Sequence, residues 1–308
     1  QAINESFHIL DDAEYTIEAN PGTVTAELLT ELRAMGFNRL SMGVQSMNNE
    51  RLDYLGRIHS AEDVIRDYEL ARDAGFDNIN LDIIFSVPGE TPEDALKDIE
   101  QIIALEPEHI SFYSLQLEEG TPFFEMWEKH QLEEVPDEID RDTFHKGAAL
   151  LEKNGYEHYE ISNFARTGYR SRHNSKYWNM AEYVGLGLGA SGMIQPFSCD
   201  KNWRYTNTSN METYCELLEG GKSPEAEEHW NSDHDDISEA VFTGLRRREG
   251  ISYEELGGSF DDFWGYFEDV RKEAEEFVAS GHFIIDSNGL RLTETGVDIS
   301  NRIMALFV

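Results

Sequence analysis

The sequence predicts an α/β fold: a partial parallel (β/α) barrel followed by a smaller, mainly α, winged-helix-like C-terminal domain. Three observations carry this expectation. Short β-rich runs alternate with amphipathic helical patterns from Tyr15 to about Gln116. The helical patterns open on capping residues, and the first two close on glycine. The tail shows helical patterns and then a hairpin signal, Ser287-Asn288-Gly289.

The strand candidates run from Tyr15 to Ala19, Asn38 to Val44, Asn78 to Phe85 and His109 to Leu115, each followed by Pro, Gly or polar turn residues. Between them, Leu28, Leu29, Leu32 and Met35 mark one helix face, Val64, Ile65, Tyr68 and Ala71 a second, and Leu96, Ile99, Ile102 and Ile103 a third. Ser60 with Asp63 three residues on, and Thr91-Pro92, supply N-terminal caps, while Gly36 and Gly75 close the first two helices. Four strands are too few to close an eight-stranded barrel. The first begins close to Gln1, in residues that resemble mid-protein sequence, so the expectation is a barrel lacking its first βα units.

Beyond Leu132 an acidic segment leads to a helix through Phe144, Ala148 and Leu151, then to an aromatic-rich stretch from Tyr156 to Trp178. A composition shift near Pro196 divides the chain into 1–195, the barrel with its extension, and 196–308, with helices around Tyr214, Val241 and Phe277.

Composition narrows function. With 61 Asp and Glu against 25 Lys and Arg, the formal net charge is -36, which repels nucleic acids and anionic membranes. In the tail, Arg246, Arg247 and Arg248 form the only basic cluster, and packing support is its expected role. No apolar run is long enough to span a bilayer, and no cleavable signal opens the chain. Two cysteines, Cys199 and Cys215, are too few and too far apart for a disulfide framework or a Cys-rich metal site, so reduced cytoplasmic thiols are expected and no metal site within this chain.

In a parallel barrel the C-terminal strand ends converge on one face, where ligand sites lie. Glu18 and Asn20 end the first strand, Gln45 and Ser46 the second, and Asp82 lies within the third. A buried carboxylate needs a partner, so Asp82 reads equally as a salt-bridged or capping residue and as an acceptor for a ligand hydroxyl. Arg57, after Gly56, could pair with a carboxylate on that rim or lie solvated. The run from Gly187 to Gly192 fits the literal dinucleotide pattern, but no βαβ unit surrounds it, and a tight backbone approach is expected instead. His173, Asn174, Tyr177 and Trp178 set an imidazole beside aromatics, a grouping suited to a flat macrocycle with an iron, although a lone His is more often structural.

At 18–23 (Glu-Ala-Asn-Pro-Gly-Thr), 40–46 (Leu-Ser-Met-Gly-Val-Gln-Ser) and 109–118 (His-Ile-Ser-Phe-Tyr-Ser-Leu-Gln-Leu-Glu) the chain resembles the oxygen-independent coproporphyrinogen oxidase family of radical-SAM proteins. The run 159–164 (Tyr-Glu-Ile-Ser-Asn-Phe), with Gly168-Tyr169, Ser171, His173-Asn174 and Tyr177-Trp178, resembles its haem-chaperone branch more than the oxidases. That resemblance implies S-adenosylmethionine bound by Glu18, Gln45, Arg57 and Asp82, and haem bound by His173, Asn174, Tyr177 and Trp178. It implies a [4Fe–4S] cluster in a complete chain, with haem delivered to haem-accepting proteins. The family's Cys-x-x-x-Cys-x-x-Cys motif and its glycine-rich turn are not found in this sequence. Ser86 and Glu90 stand where the family commonly has Gly and Gln, and Ser191 where it has His. No catalytic residue is therefore assigned. The alternatives are a coproporphyrinogen III oxidase, working by radical decarboxylation, and a cluster-less binding module.

Overall fold

The computed structural model describes residues 2–196 and 201–308, which divide into two compact units, 1–171 and 172–308. In the first unit, helix α1 (Ala2–Ser6) precedes β1 (Thr16–Ala19), α2 (Ala26–Ala34), β2 (Arg39–Gln45), α3 (Asn49–Tyr54), α4 (Ala61–Asp73), β3 (Ile79–Phe85), α5 (Pro92–Ala104) and β4 (His109–Ser114). Helices α6 (Pro122–Glu128) and α7 (Asp137–Lys153) then lead to β5 (Glu157–Glu160) and β6 (Asn163–Ala165).

The six strands form one sheet in the order β1-β2-β3-β4-β6-β5. The first four are parallel, as expected; β6 joins β4 antiparallel and β5 pairs with β6, an extension that the aromatic-rich stretch did not reveal. Residues 157–165 are too short and too mixed in polarity to register as strands by alternation alone.

Alternation along the parallel strands separates two faces. Leu40, Met42 and Val44, Ile79, Leu81, Ile83 and Phe85, and Ile110 and Phe112 are all buried and pack on the helix side, each worth roughly 1.5–3 kcal/mol. The opposite face carries Glu18, Ser41, Asn80 and His109, held level by the register Glu18↔Ser41↔Asn80↔His109.

Helices start where caps were expected. Ser60 and Thr91 each form a reciprocal box with the Asp three residues on, and Pro92 occupies the first turn of α5, where no N–H is required. Gly36 and Gly75 follow the helix ends at positive φ. The expected apolar faces are trimmed: Leu29, Val64, Tyr68, Ala71, Ile99 and Ile102 are buried, whereas Leu28, Met35 and Ile65 are exposed, because the sheet covers a narrower stripe of α2 and α4 than the apolar residues span.

The second unit comprises α8 (Arg172–Trp178), β7 (Ser191–Ile194), β8 (Trp203–Asn207), α9 (Met211–Glu219), β9 (Glu225–Trp230), α10 (Asp233–Gly244), β10 (Ile251–Ser252), α11 (Phe260–Tyr266), α12 (Arg271–Ala279), β11 (Phe283–Ile285), β12 (Gly289–Leu292) and α13 (Ser300–Met304). The three expected helices are α9, α10 and α12, and the expected hairpin is β11–β12, joined by β10. A second three-stranded sheet, β7-β8-β9, adds more β structure than a mainly α domain predicts. The composition shift at Pro196 falls between its paired strands β7 and β8.

In the glycine run at 187–192, a Cβ on Gly192 would lie 2.3 Å from the Tyr205 ring, so glycine there lets that side chain pack across β7, a side-chain approach where a backbone one was expected. The basic cluster is turned inward: Arg246 lies 4.4 Å from the Trp178 ring centroid, and Arg247 bonds Asn179 and Glu255. No helix among the described residues is long and apolar enough to cross a membrane.

Candidate functional site

The polar face of the parallel sheet gathers the residues expected at the barrel mouth. Glu18 stands exposed on β1, and Asp82 lies half-buried on β3, two residues beyond Asn80 on the same face. Between them, β2 carries an irregularity between Met42 and Gln45, where Gln45 adopts φ 68. The extra residue turns the Gln45 side chain back across Gly43, where a Cβ would meet Gln45 Nε2 at 2.9 Å and Asn20 Oδ1 at 3.3 Å. Glycine at 43 thus makes the cradle in which Gln45 and Asn20 approach each other.

Arg57 follows α3 and donates from Nη1 to Asn20 Oδ1 at 2.9 Å. Its expected carboxylate partner is replaced by this amide, since Glu18 and Asp82 lie on strands while Asn20 terminates β1 beside the loop that carries Arg57. Tyr113 of β4 completes the group, donating to Gln45 Oε1 at 3.4 Å. Burial pushes its hydroxyl up to about 12, and the charge of Asp82 adds to the shift. Glu18, Gln45, Arg57 and Asp82 therefore share one rim.

Asp82 makes neither of the partnerships weighed from sequence. Its Oδ1 accepts from Asn80 Nδ2 at 2.7 Å, an amide donor rather than an arginine. Burial raises its pKa above the ordinary carboxylate value; the Ser111 and Asn80 side chains pull the other way, and Glu18 adds to the rise. A carboxylate held by neutral donors, the Asn80 amide and the Ser111 hydroxyl, retains lone pairs for ligand hydroxyls.

Ser46, grouped with Gln45 on sequence order, faces elsewhere because of the same irregularity. Its hydroxyl donates to Asp98 Oδ2 at 2.5 Å and accepts from Arg51 Nε at 3.1 Å. Arg51 pairs with Asp98 at 3.0 Å and stands 3.3 Å from Glu90 Oε1, off the direction of a hydrogen bond, so that oxygen has no hydrogen-bond partner. Sequence reading missed this buried cluster, since Ser46 and Arg51 lie 39 or more residues from Glu90 and Asp98.

Burial pushes the Glu90 carboxyl from 4.5 up to about 7, against the pull of Arg51. The folded chain then keeps a proton that the unfolded chain releases, so stability falls as pH rises from about 4.5 to 7. Burial of His109, held well below 6.5, works in the opposite sense over the acid side of this window, so a substitution is needed to separate the two. Across pH 5 to 8, wild-type protein is expected to lose about 2 kcal/mol more urea-derived stability than Glu90→Gln. Equal losses would contradict the shift.

In the second unit, α8 brings His173 and Tyr177 together one turn apart, Nε2 and the hydroxyl 3.1 Å from each other and the rings edge-on at 5.0 Å. The imidazole is exposed, and Tyr177 also meets Tyr183 edge-on at 4.7 Å. Asn174 and Trp178 form the adjacent pair on this helix, both half-buried, with Trp178 under Arg246 and its indole N–H buried without a hydrogen-bond partner. His173 and Tyr177 are thus directly joined, while Trp178 is engaged with Arg246.

Comparisons with known proteins follow this division. Residues 2–102 match the Radical SAM superfamily, and residues 231–299 match the HemN C-terminal domain. The chain is 34% identical over 302 residues to the heme chaperone HemW of Bacillus subtilis, covering 97% of this chain and 76% of that protein. It is 34% identical over 301 residues to the heme chaperone HemW of Escherichia coli, covering 96% and 75%. Among solved structures, the coproporphyrinogen III oxidase HemN of Escherichia coli matches with a TM-score of 0.81 at 22% identity, covering 99% of this chain and 72% of that one. At that identity the likeness bears on fold alone.

Proposed function

Because the chain belongs to the HemW family of radical-SAM proteins, we propose that it is a haem chaperone that carries haem at α8 and binds S-adenosylmethionine at the barrel rim. The observation that carries this reading is the gathering of Glu18, Gln45, Arg57 and Asp82 at one mouth of the parallel sheet.

The donor set fits S-adenosylmethionine. Arg57, bonded to an amide rather than a carboxylate, keeps its charge for the ligand's carboxylate, and Glu18 offers the matching acceptor for its ammonium. Asp82 accepts from ribose hydroxyls, and Gln45 closes the cradle over Gly43. When bound, the cofactor supplies a sulfonium whose reductive cleavage needs an electron from a site-differentiated cluster held by three thiolates. This sequence contains two cysteines: Cys199 lies outside the described residues, and Cys215 is exposed on α9. These do not fit such a cluster.

Haem is cargo in this reading, and haem-accepting proteins of the cytoplasm are its recipients. His173 presents an exposed imidazole that the Tyr177 hydroxyl orients, suited to meeting a porphyrin iron. Titration of haem into the chain, followed by its Soret band, is expected to show binding that weakens about tenfold in His173→Ala, a loss of roughly 1.4 kcal/mol. Unchanged affinity and spectrum in that variant would remove His173 from the haem site. Oxidative decarboxylation of coproporphyrinogen III has only the likeness of fold behind it.

A further inference from the structure

Beneath the rim runs a line of buried polar groups that the cofactor reading leaves unused. Asn80 sits at its centre, 2% exposed, and donates from Nδ2 to Asp82 Oδ1 at 2.7 Å and to Ser41 Oγ at 2.8 Å. Its Oδ1 lies 2.5 Å from His109 Nδ1 and accepts from Ser111 Oγ at 3.2 Å. His109 is wholly buried, and its Nε2 lies 2.8 Å from the Tyr159 hydroxyl, which accepts from the Ser171 backbone N–H at 3.2 Å.

Every direction along this line is forced by what the end groups can do. A carboxylate only accepts, so Asn80 must turn its NH2 to Asp82 and its carbonyl oxygen to His109. That oxygen cannot donate, so the proton of the ring sits on Nδ1. Burial holds the imidazole neutral, with a single ring proton, so Nε2 carries the lone pair and must receive the Tyr159 hydroxyl proton. The Tyr159 oxygen is then free to accept from Ser171.

We infer that His109 and Tyr159 are positioning residues for the cofactor site: Tyr159 locks His109 as the Nδ1–H tautomer, which locks the Asn80 amide, which aims the Asp82 carboxylate at the ribose. The inference rests on the cofactor reading above. Among the described residues no hydrogen bond joins His109 or Tyr159 to the rim residues, so the hydrogen-bonded route from them to Asp82 runs through Asn80. Without the Tyr159 hydroxyl, Nε2 is left buried and unpaired, and the ring loses the bond that fixes its angle. The Nδ1–H bond to Asn80 Oδ1 is then held from one side only, and the amide that aims Asp82 is less firmly set.

The test pairs a spectroscopic readout with a ligand comparison. In chain labelled with 15N-histidine, His109 is expected to show a protonated Nδ1 and a bare Nε2, and Tyr159→Phe to move the Nε2 signal toward that of an imine nitrogen with no hydrogen bond. Calorimetry with S-adenosylmethionine and with its 2′-deoxyribose analogue is expected to show Tyr159→Phe weakening the first about fivefold and the second less than twofold. Ser41→Ala removes the other acceptor of the amide and reads the same link from its far side, with a twofold to threefold effect, should Tyr159→Phe not fold. Full S-adenosylmethionine affinity in both variants, while Asp82→Asn binds weakly, would overturn the positioning role alone. Full affinity in Asp82→Asn as well would bring down the cofactor reading and this inference with it.

Discussion

Replacing Arg51 by methionine is expected to lower stability by about 4 kcal/mol, read as a fall in the urea midpoint with little change in slope. The Arg51 side chain is 13% exposed, and Glu90 and Asp98, its partners, are each 2% exposed. It is the cation set among Glu90, Asp94 and Asp98, at 3.3, 4.0 and 3.0 Å, so its removal leaves carboxylates buried without a countercharge. The cluster ties α3 to the loop after β3 and to α5, and so fixes the backbone that follows Asp82. Adding Glu90→Gln and Asp98→Asn to Arg51→Met is expected to restore most of the loss, because a neutral set carries no such penalty. A loss below about 1 kcal/mol in the single variant would show that water reaches these carboxylates.

Asp82→Asn is expected to weaken S-adenosylmethionine binding by about a hundredfold, corresponding to roughly 3 kcal/mol. Hydrogen bonds from ligand hydroxyls to an ionised group contribute about 1.5–3 kcal/mol each. The substitution removes the charge, and one of its amide orientations also sets NH2 against the Asn80 NH2. The 2′-deoxyribose analogue is expected to bind wild-type and variant more nearly alike. A variant that binds both ligands like wild-type would show that Asp82 serves the sheet and not the ligand.

Much of this was legible because parallel βα units advertise themselves locally. Ser60 with Asp63, Thr91 with Pro92, and the glycines after α2 and α4 are short-range signals, and each stood where it was read. The same holds for the gathering of Glu18, Gln45, Arg57 and Asp82, since strand ends of a parallel sheet must meet at one mouth. Asn80, His109 and Ser111 were also within reach. Every second residue of β3 and β4 faces the polar side, a period that singles out 80, 82, 109, 111 and 113.

Other features lay beyond sequence. The irregularity that parts Gln45 from Ser46 has no Gly, Asn or Asp at the positive-φ position to announce it; only tertiary packing holds Gln45 there. The Arg51 cluster joins residues that are distant along the chain, and ion pairs of that kind have no local period. Strands β5 and β6 are short, and β7 to β9 carry many polar residues, so pairing partners rather than their own composition define them.

The most direct test of the account is a titration of the chain with S-adenosylmethionine followed at its backbone amides. It predicts that the perturbed signals cluster at Glu18, Gln45, Arg57 and Asp82, with Tyr113 beside them. Saturable binding that leaves these five unmoved and perturbs another surface would contradict it.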